Sequence, residues 1–135
     1  MKTKIILLLF FFGLSFGCLQ AQSKDTFTPK KGMIKVTILY PNGEGKTFDM
    51  DYYIKNHMPM IATMFGDALK SLSIDKGIAS GMPNTPLPFL AVGHLYFDKL
   101  SDYEEGLKPN VEKIRADFPK YTNTQPVVLI SEVIQ

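Results

Sequence analysis

The order of the strand and helix patterns after residue 32 most constrains what this chain can fold into. Residues 33–40 (MIKVTILY) alternate with a period of two and are rich in β-branched side chains, which is typical of a strand. Residues 89–97 form a nearly continuous apolar strand, and residues 126–134 form a last one. A weaker, polar strand interrupted by glycine is expected within residues 69–80.

A first helix is expected between the first two strands. Asp49 is a suitable N-cap, because its side chain can accept a hydrogen bond from the free N–H groups of the first turn. Pro59 lacks an N–H and crowds the preceding turn, so we expect a kink or break just after His57. The helix should then continue to about Phe65 and stop at Gly66.

A second helix is expected between the last two strands. Ser101, with Glu104 three residues later, has the pattern of a capping box. Apolar residues then recur along one face at Tyr103, Leu107, Val111, Ile114 and Phe118. The resulting order, β-α-β-β-α-β, predicts a ferredoxin-like α+β fold with a four-stranded antiparallel sheet and both helices on one face.

The last strand is apolar on both sides, which bears on assembly. Val127, Leu129 and Val133 point one way, whereas Val128, Ile130 and Ile134 point the other. Two helices cover only one face of a sheet, and the uncovered face would be a larger apolar patch than soluble monomers usually expose. We therefore expect a homodimer with two-fold symmetry, packed sheet to sheet.

The first residues have the pattern of an export signal. Lys2 and Lys4 precede a short apolar run, and small residues lead to Ala21, which predicts a signal peptide over residues 1–21 and a periplasmic or secreted protein. The alternative is a lipoprotein signal that uses Cys18, although Ser15 and Phe16 fit that motif poorly. Residues 22–32 are expected to be a disordered leader, and residues 33–135 one domain.

Removal of the predicted signal leaves a chain with balanced charge. The full chain carries 15 Lys+Arg and 13 Asp+Glu, and only Lys2 and Lys4 of these lie in residues 1–21. No basic field remains to attract nucleic acid, and beyond the possible anchor at Cys18 no membrane span is expected. Cleavage after Ala21 also removes the sole cysteine, so disulfides would play no part in stability.

The best candidate for chemistry is His57, which lies one helical turn after Tyr53 on an apolar stripe of the first helix. The stripe includes Met50, Ile54, Ile61 and either Met64 or Phe65. Imidazole titrates near neutral pH, so His57 is a candidate general acid or base, with Tyr53 orienting it or donating to a substrate oxygen. The alternative is a neutral core histidine bonded to a carbonyl that Pro59 leaves free, beside a core tyrosine. Ile61 and Met64 are candidates for contact with a substrate.

A second histidine, His94, shares one face of its strand with Leu90, Val92 and Tyr96. If that face meets the helices, His94 and Tyr96 line the same pocket as His57; otherwise they lie at the subunit interface.

Tyr121 and Asn123 precede the last strand and either close the pocket mouth or form a turn. The two histidines and scattered acids make no recognised metal site, and no glycine pattern predicts a phosphate or dinucleotide site.

Three stretches of the chain resemble the EthD domain family over Met33 to Gln135. They are Phe48-Asp49-x-x-Tyr52-Tyr53-x-x-x-His57-x-Pro59, the strand end His94-Leu95-Tyr96-Phe97-Asp98, and Asp117-Phe118-Pro119-Lys120-Tyr121-Thr122-Asn123. The resemblance implies a dimeric α+β barrel with a pocket between sheet and helices in each subunit, and His57 as the signature histidine. Members are often labelled reductases, and relatives with this barrel include cofactor-free monooxygenases, lactone isomerases, polyketide cyclases and haem-binding enzymes.

The resemblance and the residues together predict an exported, homodimeric enzyme without a bound cofactor. His57, helped by Tyr53 and His94, would move a proton on a small hydrophobic molecule that is phenolic or enolisable, and an oxidoreductase activity would follow from the family. The alternative is a non-catalytic dimer that binds a small apolar ligand, and a third hypothesis is haem handling with His57 as axial ligand.

Overall fold

The four predicted strands form one antiparallel sheet in the computed structural model, which describes residues 26–135. They are β1 (Ile34–Pro41), β2 (Leu69–Lys76), β3 (Phe89–Phe97) and β4 (Val127–Glu132). The sheet order is β2-β3-β1-β4, with β1 and β3 in the centre. This order, with the helices between β1 and β2 and between β3 and β4, confirms the ferredoxin-like α+β fold.

The first helix has three segments: α1 (Met50–Tyr52), a π-helical turn (Tyr53–His57) and α2 (Met58–Phe65). Asp49 caps it as predicted, since its Oδ1 accepts from the Tyr52 N–H at 2.9 Å. Gly66 ends α2 with a φ of 52°. The expected kink or break just after His57 is wrong. The helix instead widens into the π-helical turn before Pro59 and then continues as α2.

The second helix is divided into α3 (Leu100–Leu107) and α4 (Val111–Asp117). The interruption includes Pro109, which cannot supply a backbone donor to a continuous helix. Lys99 occupies the N-cap position and no side chain caps the first turn, so the predicted capping box at Ser101 is wrong. Ser101 already lies inside the helix, too late to act as a cap.

All helices pack on one face of the sheet. Val36 and Tyr40 of β1 are buried on that face, as the alternation predicts. Ala91, Leu95 and Phe97 of β3 join them in the core. The site described below lies between this sheet face and the helices.

The other face of the sheet is open over β4. Val127 and Leu129 have 53% and 54% of their surface exposed. Near the start of the described chain, the Phe27 ring lies against Tyr96, with ring centroids 5.2 Å apart.

The predicted signal peptide and Cys18 lie outside the described residues. No helix within residues 26–135 has the length and apolar character needed to cross a lipid bilayer.

Candidate functional site

His57 is buried and bonded at both ring nitrogens. Only 3% of its surface is exposed. Its Nδ1 lies 2.8 Å from Oδ2 of Asp117, and its Nε2 lies 3.3 Å from the hydroxyl of Tyr121. The ring is therefore held by two elements that are distant in sequence, the end of α4 and the segment that follows it.

The π-turn sets the orientation of His57. The Met58 N–H donates to the carbonyl of Tyr53, five residues back, where an α-helix would bond four residues back. The wider turn places the His57 ring over Tyr53, with centroids 5.4 Å apart and planes 15° from parallel. The predicted shared face of Tyr53 and His57 is confirmed. Ile54, predicted on the same stripe, is instead 47% exposed, because the wider turn rotates it outward.

Asp117 is the partner of His57 that sequence reasoning did not single out. Its carboxylate accepts three donors: the imidazole at 2.8 Å, the Tyr52 hydroxyl at 3.0 Å and the Lys120 ammonium at 3.0 Å. A signal was present, since Asp117 lies three residues after Ile114 and therefore borders the apolar stripe of its helix.

The charge states of the pair follow from burial and hydrogen bonding. Burial lowers the pKa of His57 below its ordinary value, and the hydrogen bond to Asp117 opposes this only in part. Burial would raise the pKa of Asp117, but hydrogen bonds from His57, Lys120 and Tyr52 hold it below its ordinary value. At neutral pH the imidazole is neutral and the carboxylate is ionised. An ionised carboxylate only accepts, so the proton of His57 is on Nδ1 and Nε2 carries a lone pair.

A short chain of hydroxyl groups extends from that lone pair. The Tyr121 hydroxyl lies 3.3 Å from Nε2 and 2.9 Å from the hydroxyl of Tyr40. Burial raises the pKa of both phenols far above the usual tyrosine value, so both stay protonated at any physiological pH. With Nε2 as acceptor, Tyr121 donates to His57 and Tyr40 donates to Tyr121.

Tyr53 completes this aromatic cluster. Its ring packs edge-on against that of Tyr40, with centroids 5.4 Å apart. Its hydroxyl reaches the sheet at Gly93, where an added Cβ would lie only 2.6 Å from it. A residue with a side chain at Gly93 would therefore displace Tyr53.

A cavity of about 290 Å³ lies between the sheet and the helices. His57, Tyr53 and Tyr40 form its polar inner wall, and most of the remaining lining is aliphatic or aromatic. The exposed members of the lining are Arg115, Gln125 and Val128, so the cavity opens between α4 and β4. A mostly apolar pocket with a few convergent polar groups is typical of a site for a small molecule.

The remaining predicted residues lie in the cavity wall, in the core and in a turn. Ile61 lines the cavity beside His57 and Tyr53. Met64 was predicted to contact a substrate, but it packs against the core and does not line the cavity. Tyr121 was predicted at the pocket mouth or in a turn, but it is buried outside the cavity lining, with its hydroxyl 3.3 Å from Nε2 of His57. Asn123 has the alternative role of a turn former: its Oδ1 accepts from the Thr47 N–H and its Nδ2 donates to the Gly45 carbonyl, both at 2.9 Å.

His94 and Tyr96 do not share the cavity with His57. Alternate residues of β3 face the helices, and His94 lies on the opposite face, where its Nε2 is 3.0 Å from Oδ2 of Asp75 and its Nδ1 is 3.3 Å from the Thr37 hydroxyl. Tyr96 shares this open face and packs against Phe27. The prediction that these side chains line the His57 pocket is wrong.

Within residues 26–135, no group of three or more His, Cys, Asp or Glu is placed to hold a metal ion.

Comparison with solved structures gives matches to the whole fold. An EthD-like protein from Ralstonia eutropha JMP134 is 34% identical, with a TM-score of 0.73, over 78% of this chain and 96% of that one. An EthD family protein from Bacillus halodurans C-125 is 18% identical, with a TM-score of 0.53, over 76% and 99% of the two chains. A protein from Arabidopsis thaliana shares the fold, with 10% identity and a TM-score of 0.56. The match covers 76% of this chain and 96% of that one. No protein-family model matches the sequence, and the search of curated proteins gives no match.

Proposed function

This chain belongs to the EthD-like family, and from that premise we propose that it is a small acid–base enzyme. A hydrophobic, enolisable or phenolic molecule bound in the cavity loses a proton, and His57 is the base that finally accepts it. The observation that carries the proposal is the 2.8 Å contact between the Asp117 carboxylate and the buried imidazole of His57, which lines an apolar cavity. The fold alone does not choose a reaction, because similar folds support many chemistries.

The hydroxyl chain supplies a route for the proton. Nε2 is occupied by Tyr121, and Tyr40 is the member of the chain that lines the cavity. In one concerted step, a substrate proton passes to the Tyr40 oxygen as the Tyr40 proton passes to Tyr121 and the Tyr121 proton passes to Nε2, so that neither phenol oxygen carries two protons. The chain of hydrogen bonds reverses, and the Tyr40 hydroxyl then donates to the oxygen of the substrate anion.

Asp117 makes this transfer easier. The imidazolium that forms lies 2.8 Å from an ionised carboxylate, which stabilises the positive charge. Lys120 and Tyr52 keep that carboxylate ionised and fixed in position. Return of the proton to a different atom of the substrate completes an isomerisation. The oxidoreductase activity implied by the family resemblance stays a prediction.

A deuterium-exchange experiment tests the proposal without knowledge of the natural substrate. The protein is incubated in D₂O with a small aryl ketone such as phenylacetone, and deuterium incorporation beside the carbonyl is followed by proton NMR. General base catalysis typically contributes about 10²–10⁴-fold, so His57→Gln should lose at least about 10² of the exchange rate above background. Tyr121→Phe should also lose it, since it interrupts the hydroxyl chain.

His94→Gln is the matched control. It makes the same substitution at the other histidine, which lies on the opposite face of the sheet. It should keep the exchange rate of the unmodified protein. Equal exchange by His57→Gln and the unmodified protein would contradict the proposed role of His57.

A second candidate function is non-catalytic binding of a small apolar ligand. It is favoured by the complete hydrogen bonding of His57, since both nitrogens already have protein partners. Extraction and mass spectrometry of ligands from the purified protein separate the two functions. A stoichiometric ligand recovered unchanged after incubation supports binding, whereas a converted ligand supports catalysis.

We also propose that the chain is an exported homodimer. The open sheet face over β4, with Val127 and Leu129 exposed, supports sheet-to-sheet pairing of two copies. The signal-peptide pattern of residues 1–21 supports export to the periplasm or beyond. Cell fractionation of the full-length chain, with N-terminal sequencing of the recovered protein, tests export and the cut after Ala21.

A further inference from the structure

We propose that the cavity binds an amphipathic anion, with its apolar body in the cavity beside His57 and its carboxylate held by Arg115 at the mouth. This inference rests on the proposed function in one respect, namely that the cavity is a ligand site. It goes further because it assigns a recognition residue and a charge to the ligand.

Arg115 is the single permanently charged side chain that lines the cavity among residues 26–135. It lies on α4 beside the apolar stripe formed by Val111, Ile114 and Phe118, all of which also line the cavity. A cation at the exposed rim of an otherwise apolar pocket selects ligands by charge at one end and by shape at the other.

A second, more polar hollow continues outward from the mouth. It has a volume of about 470 Å³ and shares Arg115, Phe118 and Gln125 with the cavity. Its other walls carry the polar residues Thr122, Asn123 and Thr124. The Phe118 ring links the two spaces, since its centroid lies 5.9 Å from that of His57. A ligand with its apolar end beside His57 can therefore extend toward Arg115, which borders both spaces.

The guanidinium of Arg115 is open to such a contact. Glu112 lies 3.4 Å from one of its nitrogens, Nη1, and both side chains are largely exposed. Exposed pairs of this kind are weak and screened by salt. A ligand carboxylate can bind the planar fork of arginine through two hydrogen bonds, which Glu112 does not do here. The other nearby carboxylate, Asp117, is already bonded to His57, Tyr52 and Lys120.

The two ends of the site specify the chemical class of the ligand. The body is a phenyl ring or a short branched aliphatic group, and the charged end is a monocarboxylate. If the proposed proton transfer holds, an enolisable oxo acid fits both ends of the site.

A matched pair of probes tests the inference. Binding of 4-phenylbutanoate and 4-phenylbutan-1-ol to the full chain is measured by isothermal calorimetry and ligand-observed NMR at low salt. The two probes share the apolar body and differ in charge. The unmodified protein should bind the acid about tenfold more tightly than the alcohol, and added salt should reduce this preference.

Two variants locate the source of the preference. Arg115→Gln should weaken binding of the acid about tenfold and leave the alcohol unchanged. Lys113→Gln removes the same charge from an exposed position of α4 outside the cavity lining, and it should keep the preference. Circular dichroism verifies that both variants fold.

Three results would overturn the inference: equal binding of acid and alcohol, an unchanged preference in Arg115→Gln, or no binding of either probe. The proposed acid–base role is tested separately by deuterium exchange. A charge preference that depends on Arg115, found together with no exchange activity, would leave this inference standing and remove the catalytic one.

Discussion

Replacement of Asp117 by asparagine tests the pair at the centre of the site. The substitution keeps the shape of the side chain and removes its charge. The carboxylate accepts from His57, Tyr52 and Lys120, whereas an amide offers one accepting oxygen and an NH₂ group that donates. At least one of these three donors therefore loses its acceptor in Asp117→Asn.

The expected loss of stability follows from where each donor lies. Lys120 is exposed and Tyr52 is partly exposed, so water can replace much of what they lose. His57 is 3% exposed, and its hydrogen bond to a charged group is worth about 1.5–3 kcal/mol. With partial losses at the other two donors, we expect Asp117→Asn to lower the free energy of unfolding by about 2–4 kcal/mol.

The imidazole has a way to reduce this loss, but it removes the base. If His57 moves its proton to Nε2, its Nδ1 can accept from the NH₂ group of the introduced amide. Nε2 then donates to Tyr121 and has no lone pair for a proton. If Nδ1 instead keeps its proton, Nε2 keeps its lone pair, but the imidazolium that forms lies beside a neutral amide and loses the stabilisation that the carboxylate gives. Exchange activity should therefore fall in Asp117→Asn with either tautomer, which separates this variant from a purely structural change.

Urea unfolding of a double-mutant cycle measures the interaction. The cycle comprises the unmodified protein, His57→Gln, Asp117→Asn and the double variant at pH 7. We expect a coupling energy of about 1.5–3 kcal/mol, within the range found for residues in one hydrogen-bond network. Asp51→Asn is the control, because Asp51 pairs with Lys55 at 3.1 Å on the surface and should change stability by less than about 1 kcal/mol.

A coupling energy near zero, or an Asp117→Asn protein as stable as Asp51→Asn, would show that the His57–Asp117 pair does not stabilise the fold. Full deuterium-exchange activity in Asp117→Asn would refute the part that concerns the tautomer of His57.

Three further predictions concern pH, packing and assembly. Burial lowers the pKa of folded His57 below its unfolded value of about 6.5, so on acidification the unfolded chain takes up the proton first. The free energy of unfolding should therefore fall as the pH drops below about 6.5. Urea unfolding between pH 7.5 and 5 should show this slope in the unmodified protein and a smaller one in His57→Gln; a gain of stability on acidification would have the wrong sign. Gly93→Ala places a Cβ 2.6 Å from the Tyr53 hydroxyl and should lower the free energy of unfolding by about 1–3 kcal/mol, as measured by thermal or urea unfolding. Gly81 has open space around it, so the control Gly81→Ala should lower it by less than about 0.5 kcal/mol. Leu129→Asp should shift the protein from dimer to monomer in sedimentation velocity, and an unchanged sedimentation coefficient would argue against pairing through the open sheet face.

The elements that depend on local pattern were predictable. The strand β1 alternates strictly, so both its position and its buried side, with Val36 and Tyr40, follow from the sequence. Asp49 and Gly66 mark the ends of the first helix through local backbone chemistry, and both act as expected. The π-turn was not predictable, because a break and a widened turn both satisfy the requirement that Pro59 imposes.

The parts that depend on long-range contacts were only partly predictable. The strand β3 is apolar on both faces, so its sequence did not determine whether His94 faces the helices or the open side. The pairing of Asp117 with His57 joins residues 60 positions apart, and only the tertiary fold brings the end of α4 to the π-turn. Asn123 could be placed at a turn, but its two hydrogen bonds to the loop at 45–47 required the three-dimensional structure.

The central claim is that His57 is neutral and carries a lone pair on Nε2 beside a ligand cavity. Nitrogen-15 NMR of the histidine rings measures this directly, and the chain has only two histidines to assign. The account predicts that at pH 7 the His57 ring is protonated at Nδ1 alone, and that it gains its second proton only at a pH below about 6.5. A His57 ring that is protonated at Nε2 alone, or doubly protonated at pH 7, would contradict it.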